Sequence, residues 1–179
     1  MKIEKVSPPS SSLFMTGKRE YDYLDAYSES FEMSGTEPTI SDVAKAFFSA
    51  SPKWIDFLFQ IRNNLVKLLG LKTGGSLPDR NLLIKNFKGL PGESMGLFKV
   101  FERGEHELIL GEDDKHLDFR VSLFLQMHEP EQYSLTISTL VKFHNIFGRI
   151  YFFPVKPFHH AIVQAMLKQT VQQLKQRSK

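Results

Sequence analysis

Residues 116–127 read His-Leu-Asp-Phe-Arg-Val-Ser-Leu-Phe-Leu-Gln-Met, and residues 132–144 read Gln-Tyr-Ser-Leu-Thr-Ile-Ser-Thr-Leu-Val-Lys-Phe-His. In the first stretch Leu117, Phe119, Val121, Leu123 and Leu125 alternate with His116, Asp118, Arg120 and Ser122. A period of two is that of a strand with one buried face. The second stretch repeats it, with Tyr133, Leu135, Ile137, Thr139, Val141 and Phe143 on one side, and Glu129-Pro130 supplies a turn between the two. Together they predict neighbouring antiparallel strands of one sheet.

Working outward, two more strands are expected at Leu97–Glu102 and His106–Leu110, with turns at Gly104 and at Gly111 with Asp113-Asp114. Further upstream Tyr21, Tyr23, Tyr27, Phe31 and Met33 fall at odd positions and predict a first strand, ended by Gly35 and Pro38. A helix should follow from Thr39. Its hydroxyl can cap while Asp42 stands three residues on, and Val43, Ala44, Phe47 and Phe48 make an apolar stripe. A second helix is expected from Ser51-Pro52, carrying Trp54, Phe57, Leu58, Ile61, Leu65, Leu68 and Leu69 and stopped by Gly70. Glycines and prolines then break the pattern, leaving one short strand or helical turn near Leu82–Phe87. At the C-terminal end Phe158, Ile162, Val163, Met166, Leu167, Val171 and Leu174 form a helical stripe. Asn145 can cap a start near Ile146, with a kink around Pro154 and Pro157, and a final strand is the alternative for residues 146–153.

The summed order is α+β: a curved antiparallel sheet packed on a long C-terminal helix, with two helices after the first strand. The boundaries are an irregular N-terminal leader over residues 1–19, rich in Ser and Pro, and one domain over residues 20–176. That order resembles the helix-grip fold of the START and birch-pollen-allergen superfamily, in which a sheet wraps the last helix and often encloses a cavity.

Composition narrows the function classes. With 41% hydrophobic and 24% charged residues in 179, the chain has the make-up of one globular domain and not of a disordered or membrane-embedded one. The absence of cysteine excludes disulfides, thiolate nucleophiles and iron–sulfur clusters. The start shows no apolar signal stretch, so the cytoplasm is the expected location. The apolar run Ile150–Val155 is too short for a membrane span. Lys168, Lys175, Arg177 and Lys179 read as a solvated helix end, favoured by the helix dipole, in preference to a nucleic-acid or acidic-lipid patch. No nucleic-acid partner and no cofactor is expected.

Two stretches resemble something narrower. Residues 111–122, from Gly111 through Asp113, His116 and Asp118 to Ser122, and residues 143–159, from Phe143 through His144, Asn145, Gly148, Arg149 and Tyr151 to His159, are similar to a bacterial family of unknown function. Members of that family resemble domains fused behind epimerase-like nucleotide-binding domains. The resemblance implies a dehydrogenase-like protein partner and carries no reaction that could be transferred to these residues.

The candidate chemistry therefore comes from the side chains themselves. His116, Asp118 and Arg120 share one side of a strand and could move protons or hold an anion. The competing reading is a solvated outer face with a cross-strand ion pair, and it is the preferred one because the opposite face is apolar throughout. His159 and His160 are adjacent, which on a helix turns them about 100° apart and suits them poorly to joint metal binding, so no metal site is expected. His159 falls on the Val163 and Met166 side as a partly buried, hydrogen-bonded histidine. His116, Asp118 and His159 are thus the catalytic candidates, and Arg120, Arg149, Tyr151, Phe119 and Tyr133 the ligand-binding ones. No Walker loop, Gly-x-Gly-x-x-Gly or Gly-x-Ser-x-Gly occurs, and Lys72-Thr73-Gly74 lacks the accompanying motifs of penicillin-interacting enzymes. The leading expectation is a small apolar or amphipathic ligand between sheet and C-terminal helix. The alternatives are an enzyme of cyclase or dehydratase type and an accessory domain docking on a dehydrogenase-like partner.

Overall fold

The computed structural model describes residues 2–16, 20–50, 80–96 and 98–177. The Ser51–Gly70 helix expected from the sequence lies outside the described residues. The elements are β1 (Ile3–Lys5), α1 (Leu13–Thr16), β2 (Tyr23–Glu32), α2 (Ile40–Ser49), α3 (Arg80–Asn86), β3 (Ser94–Met95), β4 (Phe98–Arg103), β5 (Glu107–Asp113), β6 (Leu117–Glu129), β7 (Gln132–Phe143) and α4 (Ile146–Arg177). The architecture is α+β, with a curved seven-stranded antiparallel sheet in the order β1-β2-β7-β6-β5-β4-β3 and a long C-terminal helix.

The β6–β7 pairing runs from Leu117 opposite Phe143 to Glu129 opposite Gln132, as the alternation required. β2 closes on the far side of β7 with Tyr23 opposite Val141 and Phe31 opposite Tyr133. Thr39 caps α2 through the expected box, its hydroxyl accepting from the Asp42 N–H while Asp42 accepts from the Thr39 N–H. The stretch near Leu82–Phe87 is the helix α3. Residues 146–153 are helix and not strand, and α4 starts on Asn145, whose Oδ1 accepts from the N–H groups of Phe147 and Gly148. Pro154 and Pro157 lie inside α4 at exposed positions.

One sheet face packs on α2 and α4 around Tyr27, Phe31, Phe47, Leu108, Leu123, Leu135, Ile137, Leu167 and Leu174. The opposite face carries a smaller cluster of Phe14, Ile109 and Leu140, with Leu13, Leu24 and Phe101 against it. Two expectations are corrected here. The leader is not wholly irregular: β1 pairs with β2, and α1 seats the fully buried Phe14 on the outer face. Glu107, itself buried, holds α1 there by accepting from the Ser12 hydroxyl at 2.5 Å, the Leu13 N–H at 2.6 Å and the Ser122 hydroxyl at 2.5 Å. A carboxylate at the first turn of a helix satisfies otherwise orphan N–H groups. In consequence the outer face of β6 is not simply solvated, since Ser122 is buried and the Arg120 side chain is only 14% exposed.

Candidate functional site

β2 projects Tyr23, Asp25, Tyr27 and Glu29 from one side, because alternate residues of a strand share a face. That side lies under α4, and α4 answers with His159 and His160. Asp25 is the centre of the cluster and is buried. The Tyr23 hydroxyl donates to its Oδ2 at 2.6 Å, His159 Nε2 lies 3.4 Å from Oδ1, and His160 Nδ1 lies 3.2 Å from Oδ2. The same His160 nitrogen is 2.7 Å from the Tyr27 hydroxyl. Carrying a proton it donates to the carboxylate; without one it accepts from the phenol.

The electrostatics follow from this packing. Burial pushes the Asp25 carboxyl up, but hydrogen bonds from His159 and Tyr23 and the electrostatic attraction of the two imidazoles outweigh it and hold it below the ordinary aspartate range. Burial, and next the hydrogen bond to Asp25 and its charge, push the Tyr23 phenol up, so Tyr23 keeps its proton. Burial likewise raises Tyr27. Phe152 packs on Tyr23 with ring centroids 4.8 Å apart, and the Lys156 ammonium stands 5.4 Å from the Tyr23 ring centre. The His159 and His160 side chains are 16% and 31% exposed, so the cluster is reached from the surface. Two residues beyond Tyr27 on β2, Glu29 is buried with neither carboxylate oxygen hydrogen-bonded, and burial raises it.

The residues expected from the sequence are distributed differently. His116, Asp118 and Arg120 do not act on one another. His116 Nδ1 is 3.0 Å from Asn145 Oδ1, Asp118 pairs with His144 Nε2 at 2.9 Å, and Arg120 pairs across strands with Asp113 at 2.5 Å. Arg120 also donates to the Glu112 and Phe119 carbonyls and lies 3.5 Å over the Phe101 ring. Asp118 and Arg120 do share an open outer cleft of about 440 Å³ with Glu20, Phe101, Leu140 and Lys142. Arg149 is held by Asp22 at 2.9 Å, whose carboxyl is kept low by the Phe143 N–H and by Arg149 and Lys142. Phe119 packs edge-on against Phe98, Tyr133 stacks on Phe31, and Tyr151 is half-buried on α4. Tyr133 stands opposite Phe31, six residues along β2 from Asp25 and so roughly 20 Å away. Of the expected set, His159 alone stands in the Asp25 cluster. Asp25, His160, Tyr23 and Tyr27 were missed; Asp25, a carboxylate at an inward odd position between aromatics, was the available signal.

Among the described residues no three His, Asp or Glu are arranged to hold a metal ion, and no helix is long and apolar enough to cross a membrane. An α+β domain with a carboxylate, two imidazoles and two phenols gathered between sheet and helix is the class that the geometry defines. The chain belongs to a family described as a protein of unknown function (DUF2867), whose model matches residues 18–166. Neither a curated protein nor a solved structure matches the chain.

Proposed function

We propose that the protein binds a small amphipathic molecule at the junction of β2 and α4, in the manner of a helix-grip domain. The observation that carries this reading is the Asp25 cluster: buried polar groups at the sheet–helix seam, with two imidazoles reachable from outside. A ligand's polar end would meet His159 and His160, and its apolar body would lie along Tyr23 and Phe152. A second reading, acid–base catalysis of the dehydratase or cyclase kind, is favoured by one particular. Asp25 engages His159 through Nε2, which orients the ring and leaves Nδ1 as the nitrogen to exchange a proton with a substrate.

The test is a titration with decanoate and with 1-naphthol, followed by histidine ring resonances and by melting temperature. The reading expects His159 and His160 signals to move and the melt to rise in the wild type, and expects both responses to vanish in His159→Phe. Histidine signals unmoved by either probe would contradict it. Turnover of a β-hydroxy carbonyl probe, abolished in Asp25→Asn, would favour the enzyme over the binder.

A further inference from the structure

The polar atoms around Asp25 lie on two levels. On the inner level both carboxylate oxygens are occupied, Oδ1 by His159 Nε2 and Oδ2 by the Tyr23 hydroxyl and His160 Nδ1. Each imidazole therefore turns one nitrogen inward. The other nitrogen, Nδ1 of His159 and Nε2 of His160, has no partner among the described residues. Because Asp25 is buried and both rings are partly exposed, the far side of each ring is what a molecule arriving from outside would meet. Lys156 joins them there. It stands one helical turn before the two histidines, its side chain is exposed, and its ammonium lies by the Tyr23 ring with no carboxylate paired to it among the described residues.

Charge decides what this outer level accepts. The groups facing the two imidazoles are Tyr23, Asp25 and Tyr27 from β2, and Lys156 and Gln164 from α4, with the uncharged Thr139 of β7 opposite Asp25. Only Asp25 among them is negative, since burial keeps both phenols protonated, and it lies behind its donors. The helix brings no carboxylate of its own, because residues 132–179 contain no Asp or Glu. Nearby Asp22 is taken by Arg149 and by the Phe143 N–H. An arriving head group thus meets one unpaired ammonium and two imidazoles able to gain a proton. An organic cation would be repelled by the first and would oppose protonation of the others. The chain's own groups also leave one polar atom over: the Thr139 hydroxyl, beside Asp25, is buried without a hydrogen-bond partner.

We propose, resting on the ligand-binding reading of the β2–α4 junction, that the ligand is a small organic acid bound as its anion, its head held by the Lys156 ammonium and by the outward nitrogens of His159 and His160, which take up protons from solvent as it binds. Asp25 acts behind the two rings, fixing their orientation and offsetting the charge they gain.

The experiment is calorimetric titration of the whole chain with 1-naphthoate, 1-naphthol and 1-naphthylmethylamine, which share one apolar body and differ in the charge of the head. At neutral pH naphthoate is expected to bind about tenfold more tightly than naphthol, and the amine most weakly. Lys156→Gln, at an exposed position, is expected to remove most of that preference, whereas Lys168→Gln, on the second half of α4, is expected to keep it. Between about pH 8 and pH 6, where an imidazole gains its charge, naphthoate affinity should rise with proton uptake while naphthol affinity stays level. Circular dichroism of each variant checks that the fold is intact. Equal affinity for naphthoate and naphthol, or tighter binding of the amine, would overturn the organic acid and leave the ligand-binding reading standing. An unchanged preference in Lys156→Gln, or naphthoate affinity that is level with pH, would overturn the assignment of the head group's partners. Failure of all three probes to bind would overturn the reading and the inference together.

Discussion

The two halves of α4 differ on both of their sides. From Ala161 onward the sheet side is Val163, Met166, Leu167, Val171 and Leu174, all buried, and the outer side is polar, with exposed Lys168 and Gln172. That is the ordinary arrangement of a helix covering a core. In the first half the sheet side receives His159 and His160 on a buried carboxylate, and the outer side is Ile146, Phe147, Ile150, Phe153 and Phe158. The comparison teaches that the second half of α4 holds the domain together, while the first half is where the proposed ligand would be met.

The largest effect should come from the second half. Leu167→Ala or Leu174→Ala removes a side chain buried to within 2% and should lose about 2–5 kcal/mol in urea denaturation. If either variant were neutral, the division between the halves would fail. Next comes the Asp25 cluster, where Asp25→Asn takes the charge from a group that two imidazoles and a phenol serve, and about 1–3 kcal/mol is expected to go at neutral pH. Because the Asp25 carboxyl is lowered in the folded state, its contribution is present above the ordinary value of 3.8 and is lost as pH falls through the folded value. The wild type and Asp25→Asn should therefore converge in acid, and curves that stay parallel below pH 4 would contradict the assignment.

Glu29 has the opposite sign. Its carboxyl is raised from 4.5, so stability is fully present below that value and falls as pH rises through the folded one. Glu29→Met removes an unpartnered buried carboxyl and should gain about 1–2 kcal/mol at pH 7 and less near pH 4. Destabilisation at both pH values would show that Glu29 has a partner in solution.

The sheet was legible because β6 and β7 alternate over most of their length and the inner face is apolar but for Thr139; α2 was legible because Thr39 and Asp42 form their cap from residues three apart. The leader was harder to read. The order of α1 comes from Glu107, more than ninety residues away in sequence, so no local motif announces that Ser12 and Phe14 will be buried. The site was half legible for the same reason. His159 stood out on its helix stripe, but Asp25 becomes a partner only when β2 is laid beside β7 under α4. His116, Asp118 and Arg120 drew attention by sharing one strand side, yet each finds a partner on another element.

The smallest expected effect tests the central comparison most directly. Urea denaturation of Ile150→Ser combined with Phe153→Ser should give a folding stability within about 0.5 kcal/mol per site of the parent, because both side chains are more than half exposed. That result would show that the apolar outer row does not hold the fold together. A loss of about 2 kcal/mol or more, on the scale of a core truncation, would contradict the account and make the first half of α4 as structural as the second.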